Sequence, residues 1–134
     1  MPYPDPNKLQ TPLARVRGLG SAHSGVHHWW ILKMTAFASL PLTLWLLWSI
    51  VNLAKQGATY DIVKAWIGHP VHAFLLCVLL GVNTYHIALG GQEPIVDYVH
   101  KHRYQLPAVV LFKMLCYGVG LVSIFTTLYI AFKL

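Results

Sequence analysis

Three stretches of this 134-residue chain carry no charged side chain: Met34 to Leu53, Pro70 to Leu89 and Met114 to Phe132, of 20, 20 and 19 residues. An apolar run of about 18 or more residues crosses ~30 Å of hydrocarbon as a helix rising about 1.5 Å per residue. Backbone groups in lipid must find partners within the protein, so continuous runs of this length are helical. The three spans and their connections use most of the chain, which leaves no room for a separate soluble domain. Composition agrees, with 56% hydrophobic and 10% charged residues. The fold class expected is therefore all-α integral membrane, with three transmembrane helices at about 31–53, 70–90 and 107–132. They form a membrane anchor over residues 23–134, preceded by a Pro- and Gly-rich arm over 1–22.

The formal net charge of +6 is explained by topology. Lys8, Arg15, Arg17 and Lys33 precede the first uncharged span, and Lys101, Arg103 and Lys113 fall between the second and third; Lys55, Lys64 and Lys133 lie on the other side. Seven cations against three place the N-terminus and the second connection in the cytoplasm. A charge so distributed is not a nucleic-acid footprint, and no nucleic-acid partner is expected. No cleaved signal peptide is expected either, because about 30 polar or mixed residues come before a first span too long for an h-region. Pro2, Pro4, Pro6 and Pro12 would break the amphipathic helix of a mitochondrial presequence. The bacterial cytoplasmic membrane is thus favoured over the mitochondrial inner membrane. Cys77 and Cys116 each fall inside a span; with no Cys-x-x-Cys-His motif a covalently attached c-type haem is excluded, and a disulfide framework has no support.

The second span holds the chemistry. At about 100° per residue His72, Leu79, Asn83, His86 and Gly90 share one stripe, which predicts that this face meets protein or a cofactor and not lipid. Gly90-Gly91 ends the helix, and Gly90 permits close approach of a planar ligand or another helix. An imidazole in hydrocarbon marks a functional site by default, and in an apolar bundle haem iron is the commonest group to hold one. His86 is the candidate axial ligand. The first and third spans contain no core histidine, so a second axial ligand comes from another subunit. The blander reading of His86 is an interhelical hydrogen bond. His72, 14 residues earlier and ~21 Å away along the axis, leaves open a di-haem arrangement; its simpler role is to cap or hydrogen-bond near His69 and Pro70.

Eleven residues after His86 come Asp97 and Tyr98, in the connection that also holds Glu93, His100, Lys101, His102 and Arg103. A phenol donates to a quinone carbonyl, and a carboxylate beside it orients it or relays protons from water. His27 and Lys33 flank the entry of the first helix on that same side, where they can neutralise haem propionates. Interfacial anchoring is the alternative for both. Pro41 lies inside the first helix and is expected to kink it, and Pro107 is expected to open the third. No span contains an acid, which argues against a transporter or channel.

Gly25-Val26-His27 with Lys33-Met34-Thr35-Ala36, and His86 followed by Asp97-Tyr98-Val99, resemble the smaller cytochrome b membrane-anchor subunit of succinate dehydrogenase (succinate:quinone oxidoreductase, respiratory complex II). The resemblance covers roughly residues 24 to 132. It implies that His86 is one axial ligand of haem b, with the other supplied by a larger cytochrome b anchor subunit packed against this chain around the haem. It implies that Tyr98 hydrogen-bonds ubiquinone or menaquinone with Asp97 beside it, and that His27 and Lys33 lie near the propionates. Electrons would come from succinate through a flavoprotein, which this chain does not itself touch, and an iron–sulfur subunit docked on the cytoplasmic face. The chain would belong to an oxidoreductase without carrying out succinate oxidation. The family often has arginine where Lys33 stands and an acid where His28 stands, so here a compact ammonium replaces a bidentate fork. Two rival functions make separate predictions: a haem-free structural anchor is indifferent to His86, and a di-haem subunit depends on His72 as well.

Overall fold

The computed structural model describes Leu13 and residues 23–132. Between residues 23 and 132 the chain forms α1 (His23–Lys55), α2 (Tyr60–Gly68), α3 (Pro70–Gly90), α4 (Gln92–Tyr98) and α5 (His102–Phe132), and no strand occurs among the described residues. Three segments are long and apolar enough to cross a membrane: Gly25–Lys55, Pro70–Tyr98 and Arg103–Phe132. The arm expected over 1–22 lies outside the described residues apart from Leu13. By compactness the chain divides into Met1–Trp30 and Ile31–Leu134. In the first unit the opening turns of α1 bring the rings of Trp29 and Trp30 to 6.0 Å. The second unit contains the rest of α1 and all of α2 to α5.

Both outer spans run longer than the uncharged stretches suggest. No proline lies between Pro12 and Pro41, so nothing stops α1 from extending back to His23. Pro107 does not open the third long helix, as expected from its sequence position, but sits inside α5. The first turn is made upstream, where the amides of Tyr104 and Gln105 both donate to the Lys101 carbonyl at 2.9 and 3.1 Å. α3 ends at Gly90, where the glycine pair predicted its end.

Each of the two connections between the long helices contains a short helix. In α2, Ile62, Val63, Trp66 and Ile67 are half-buried while Tyr60, Asp61, Lys64 and Ala65 are exposed, an amphipathic division at helical period. Asp61 in the first turn also complements the helix dipole. In α4 the proline, Pro94, falls within the first turn, where its missing amide leaves no bond unmade. α2 packs on α3 and α5 at one end of the bundle, and α4 packs on the same two helices at the other.

Few side chains of the described chain are buried, and most of those are small: Ser49, Leu53, Ala73, Leu79, Ala88 and Thr127. Lipid is as apolar as leucine, so helices in a bilayer associate through close backbone approach and polar contacts. α3 and α5 form the most extensive pair. At their crossing a Cβ added to Gly120 would collide with the β-branched side chain of Thr84. α1 joins α3 differently, through side chains that reach across. Leu32 packs on Gly90 at 3.8 Å from the position a Cβ would take, and the Ser39 hydroxyl donates to Asn83 Oδ1 at 2.5 Å. These pairs step along the two helices in opposite directions, as an antiparallel register demands.

Two measurements check this packing in the detergent-solubilised protein. Gly120→Val should lower stability by about 1–3 kcal/mol through overpacking, seen as a lower thermal inactivation midpoint, and Thr84→Ala should restore part of it. A double-mutant cycle of Ser39→Ala with Asn83→Ala should give a coupling of about 0.6 kcal/mol, and no more than ~1.7.

Candidate functional site

Pro70 at the start of α3 fixes where the helix begins, and from there the helical period phases the polar stripe. The stripe meets protein. Asn83 is bonded to Ser39, Gly90 is packed by Leu32, Leu79 is buried, and His86 is half-buried against α1. His86 Nδ1 lies 2.8 Å from Thr35 Oγ1, and the same hydroxyl lies 2.9 and 3.1 Å from the carbonyls of Ile31 and Leu32 on its own helix. Beside the imidazole is a recess of about 290 Å³, lined by Ala36, Ser39, Leu40, Thr43 and Leu44 of α1.

This donor set fits haem in kind. Among the described residues no three His, Cys, Asp or Glu side chains are grouped to hold a metal ion. A lone imidazole suits a metal that brings its in-plane ligands with it, as haem iron does. Ala36 and Ser39 keep that side of the recess free of bulk, which leaves room for the edge of a flat macrocycle. The recess is one-sided, because its lining comes from α1 and His86 alone.

His72, at the other end of α3, has different surroundings. Its Nδ1 donates to the Trp66 carbonyl at 2.9 Å, and its ring stacks on Trp66 at 4.6 Å between centroids. Trp45 at 6.0 Å and His69 at 4.9 Å complete an aromatic cluster. A cavity of about 720 Å³ adjoins it, walled also by Trp48, Asn52 and Gln56. His72 thereby ties α2 to α3 through stacking and one backbone hydrogen bond.

Asp97 and Tyr98 end α4, and both are exposed, Tyr98 at 82% of its surface. α4 is held in place from α5: Gln105 donates to the Val96 carbonyl at 2.9 Å, and Phe112 packs so tightly on Gly91 that no side chain fits there. His100 Nδ1 donates to the Tyr98 carbonyl at 3.0 Å. No hydrogen bond or ring contact joins Tyr98 to His86 among the described residues. His27 is exposed in the first compact unit, and Lys33 is exposed on α1 with a polar or electrostatic contact of its own. The residues that sequence reasoning passed over are Thr35 and Ser39. Their signal was a four-residue spacing of hydroxyls on the first span, facing the three-residue spacing of Asn83 and His86 on the second.

The family described as succinate dehydrogenase/fumarate reductase transmembrane subunit matches residues 7–128. The chain is 29% identical over 120 residues to the succinate dehydrogenase hydrophobic membrane anchor subunit of Rickettsia bellii, covering 87% of this chain and 94% of that one. The subunit of the same name from Paracoccus denitrificans is 33% identical over 88 residues, covering 66% and 67%. That of Rickettsia conorii is 24% identical over 109 residues, covering 81% and 85%. No solved structure matches significantly. Three apolar helices, an α3 face turned to protein and these likenesses agree: the chain belongs to the succinate dehydrogenase/fumarate reductase transmembrane subunit family, as a multi-pass membrane anchor.

Proposed function

We propose that this chain is the small cytochrome b anchor of a succinate:quinone oxidoreductase in a bacterial cytoplasmic membrane. Its N-terminus and α4 face the cytoplasm, in keeping with the excess of Lys and Arg on that side. It packs with a larger cytochrome b anchor subunit, and the two present a platform to the iron–sulfur subunit, which in turn carries the flavoprotein. The observation that carries this reading is His86, engaged on one nitrogen by Thr35 and set beside a recess that this chain walls on one side only.

His86 would hold haem b through its remaining nitrogen, together with a residue of the larger anchor subunit. When bound, haem b supplies one-electron redox chemistry within the membrane. His27 and Lys33 donate to its propionates, pairing carboxylates that would otherwise sit unpaired at the membrane boundary. Reducing a quinone takes protons as well as electrons, so its site needs donors in contact with water. Tyr98 donates to a quinone carbonyl oxygen, and Asp97 accepts protons from solvent and orients the phenol. Their exposure on a short helix supports that role, because the quinone pocket is then completed by neighbouring subunits. Succinate oxidation belongs to the flavoprotein, and this chain serves the quinone end of the reaction.

Two expected outcomes test the proposal in the purified membrane complex. His86→Ala removes the b-type signal from the reduced-minus-oxidised spectrum; full retention of that signal would mean a haem ligated elsewhere, and a wild type lacking it would mean a haem-free anchor. Tyr98→Phe lowers succinate:quinone turnover roughly 10-fold or more, the loss of about one hydrogen bond, and leaves succinate oxidation by a soluble dye unchanged.

A further inference from the structure

The geometry points to Thr35 as the positioning residue that sets the tautomer of His86, holding the proton on Nδ1 and leaving the Nε2 lone pair for iron. This rests on the haem reading above and adds to it a residue of α1 that ligates nothing itself.

The argument is one of counting protons. A threonine hydroxyl has a single proton and two lone pairs. Three acceptor or donor atoms surround Thr35 Oγ1: the Ile31 carbonyl at 2.9 Å, the Leu32 carbonyl at 3.1 Å and His86 Nδ1 at 2.8 Å. The two carbonyls can only accept, and a helical threonine commonly donates back to them. With its proton shared between them, the hydroxyl oxygen can meet Nδ1 only as an acceptor. Nδ1 must then carry hydrogen. In a neutral imidazole that leaves Nε2 as a bare lone pair, the form an iron needs. The opposite arrangement, with Thr35 donating to Nδ1, would forgo both carbonyls and place the proton on Nε2, where ligation is blocked.

A hydrogen bond accepted from the far N–H of a ligating histidine fixes the ring and raises its basicity. A more basic imidazole favours the ferric state. Thr35 therefore lowers the haem midpoint potential, and removing its hydroxyl raises it. Thr126 on α5 is the built-in comparison, since its hydroxyl likewise donates to a carbonyl of its own helix, that of Val122, and it lies outside the recess.

The test is a redox titration of the b-type haem in the intact membrane complex, with haem content measured alongside. Thr35→Val should shift the ferric/ferrous equilibrium by up to about tenfold toward ferrous, a rise of up to about 59 mV for one electron. Thr35→Ser and Thr126→Val should match wild type. Thr35→Cys, whose thiol is a weak acceptor, should fall between and carries the test if Thr35→Val does not assemble. A wild-type potential in Thr35→Val, or in Thr35→Cys where that is the variant obtained, overturns the role of Thr35, as does an equal rise in Thr126→Val. Loss of the haem signal in His86→Ala beside such an unchanged potential leaves ligation standing and removes only Thr35. Full retention of haem in His86→Ala removes the ligation itself, and this inference with it.

Discussion

Two side-chain bridges from α1 to α3, Thr35 to His86 and Ser39 to Asn83, organise this anchor. In a bilayer no hydrophobic force draws two apolar helices together, and each polar group left facing lipid is unfavourable. The imidazole and the amide on α3 therefore need partners, and the hydroxyls on α1 supply them. Meeting that need sets the rotation of both helices about their axes and their offset along them. Leu32 against Gly90 continues the same line. α5 approaches α3 by the other route open to membrane helices, small residues that let backbones close, at Gly120 and Thr84.

This division of labour suits a subunit made to work in company. Most of its large apolar side chains face outward, and its few buried residues are mainly small. A soluble protein so built would have no core, whereas in a membrane the outward surface meets lipid and other subunits. The one-sided recess beside His86 and the exposed end of α4 follow the same plan. An imidazole whose hydrogen bond lies within this chain is oriented before any partner arrives, which is the value of placing Thr35 on α1.

Much of the fold was legible because its determinants are local. Three uncharged runs announced three helices, and Gly90-Gly91 marked the end of the second. The stripe through Asn83, His86 and Gly90 was readable from the helical period, and that face does meet protein. The short helices were not read, although Ile62, Val63, Trp66 and Ile67 carried the amphipathic pattern of α2. A nine-residue segment between long apolar runs is easily taken for a loop, because few turns offer little periodicity to count. Pro107 misled for a related reason: proline suits a first turn, but it also survives deeper where only one carbonyl loses its partner.

The sequence by itself determined that the chain crosses a membrane three times, because the bilayer acts on length and composition one segment at a time. It also singled out His86, because an imidazole in hydrocarbon is costly wherever its neighbours lie. Only the tertiary structure decided which groups satisfy that imidazole and its companion Asn83. Thr35 and His86 are 51 residues apart, Ser39 and Asn83 are 44 apart, and no local pattern encodes the register that joins them. That register is set where close backbone approach, hydrogen-bond geometry and the antiparallel run of α1 and α3 are all satisfied together.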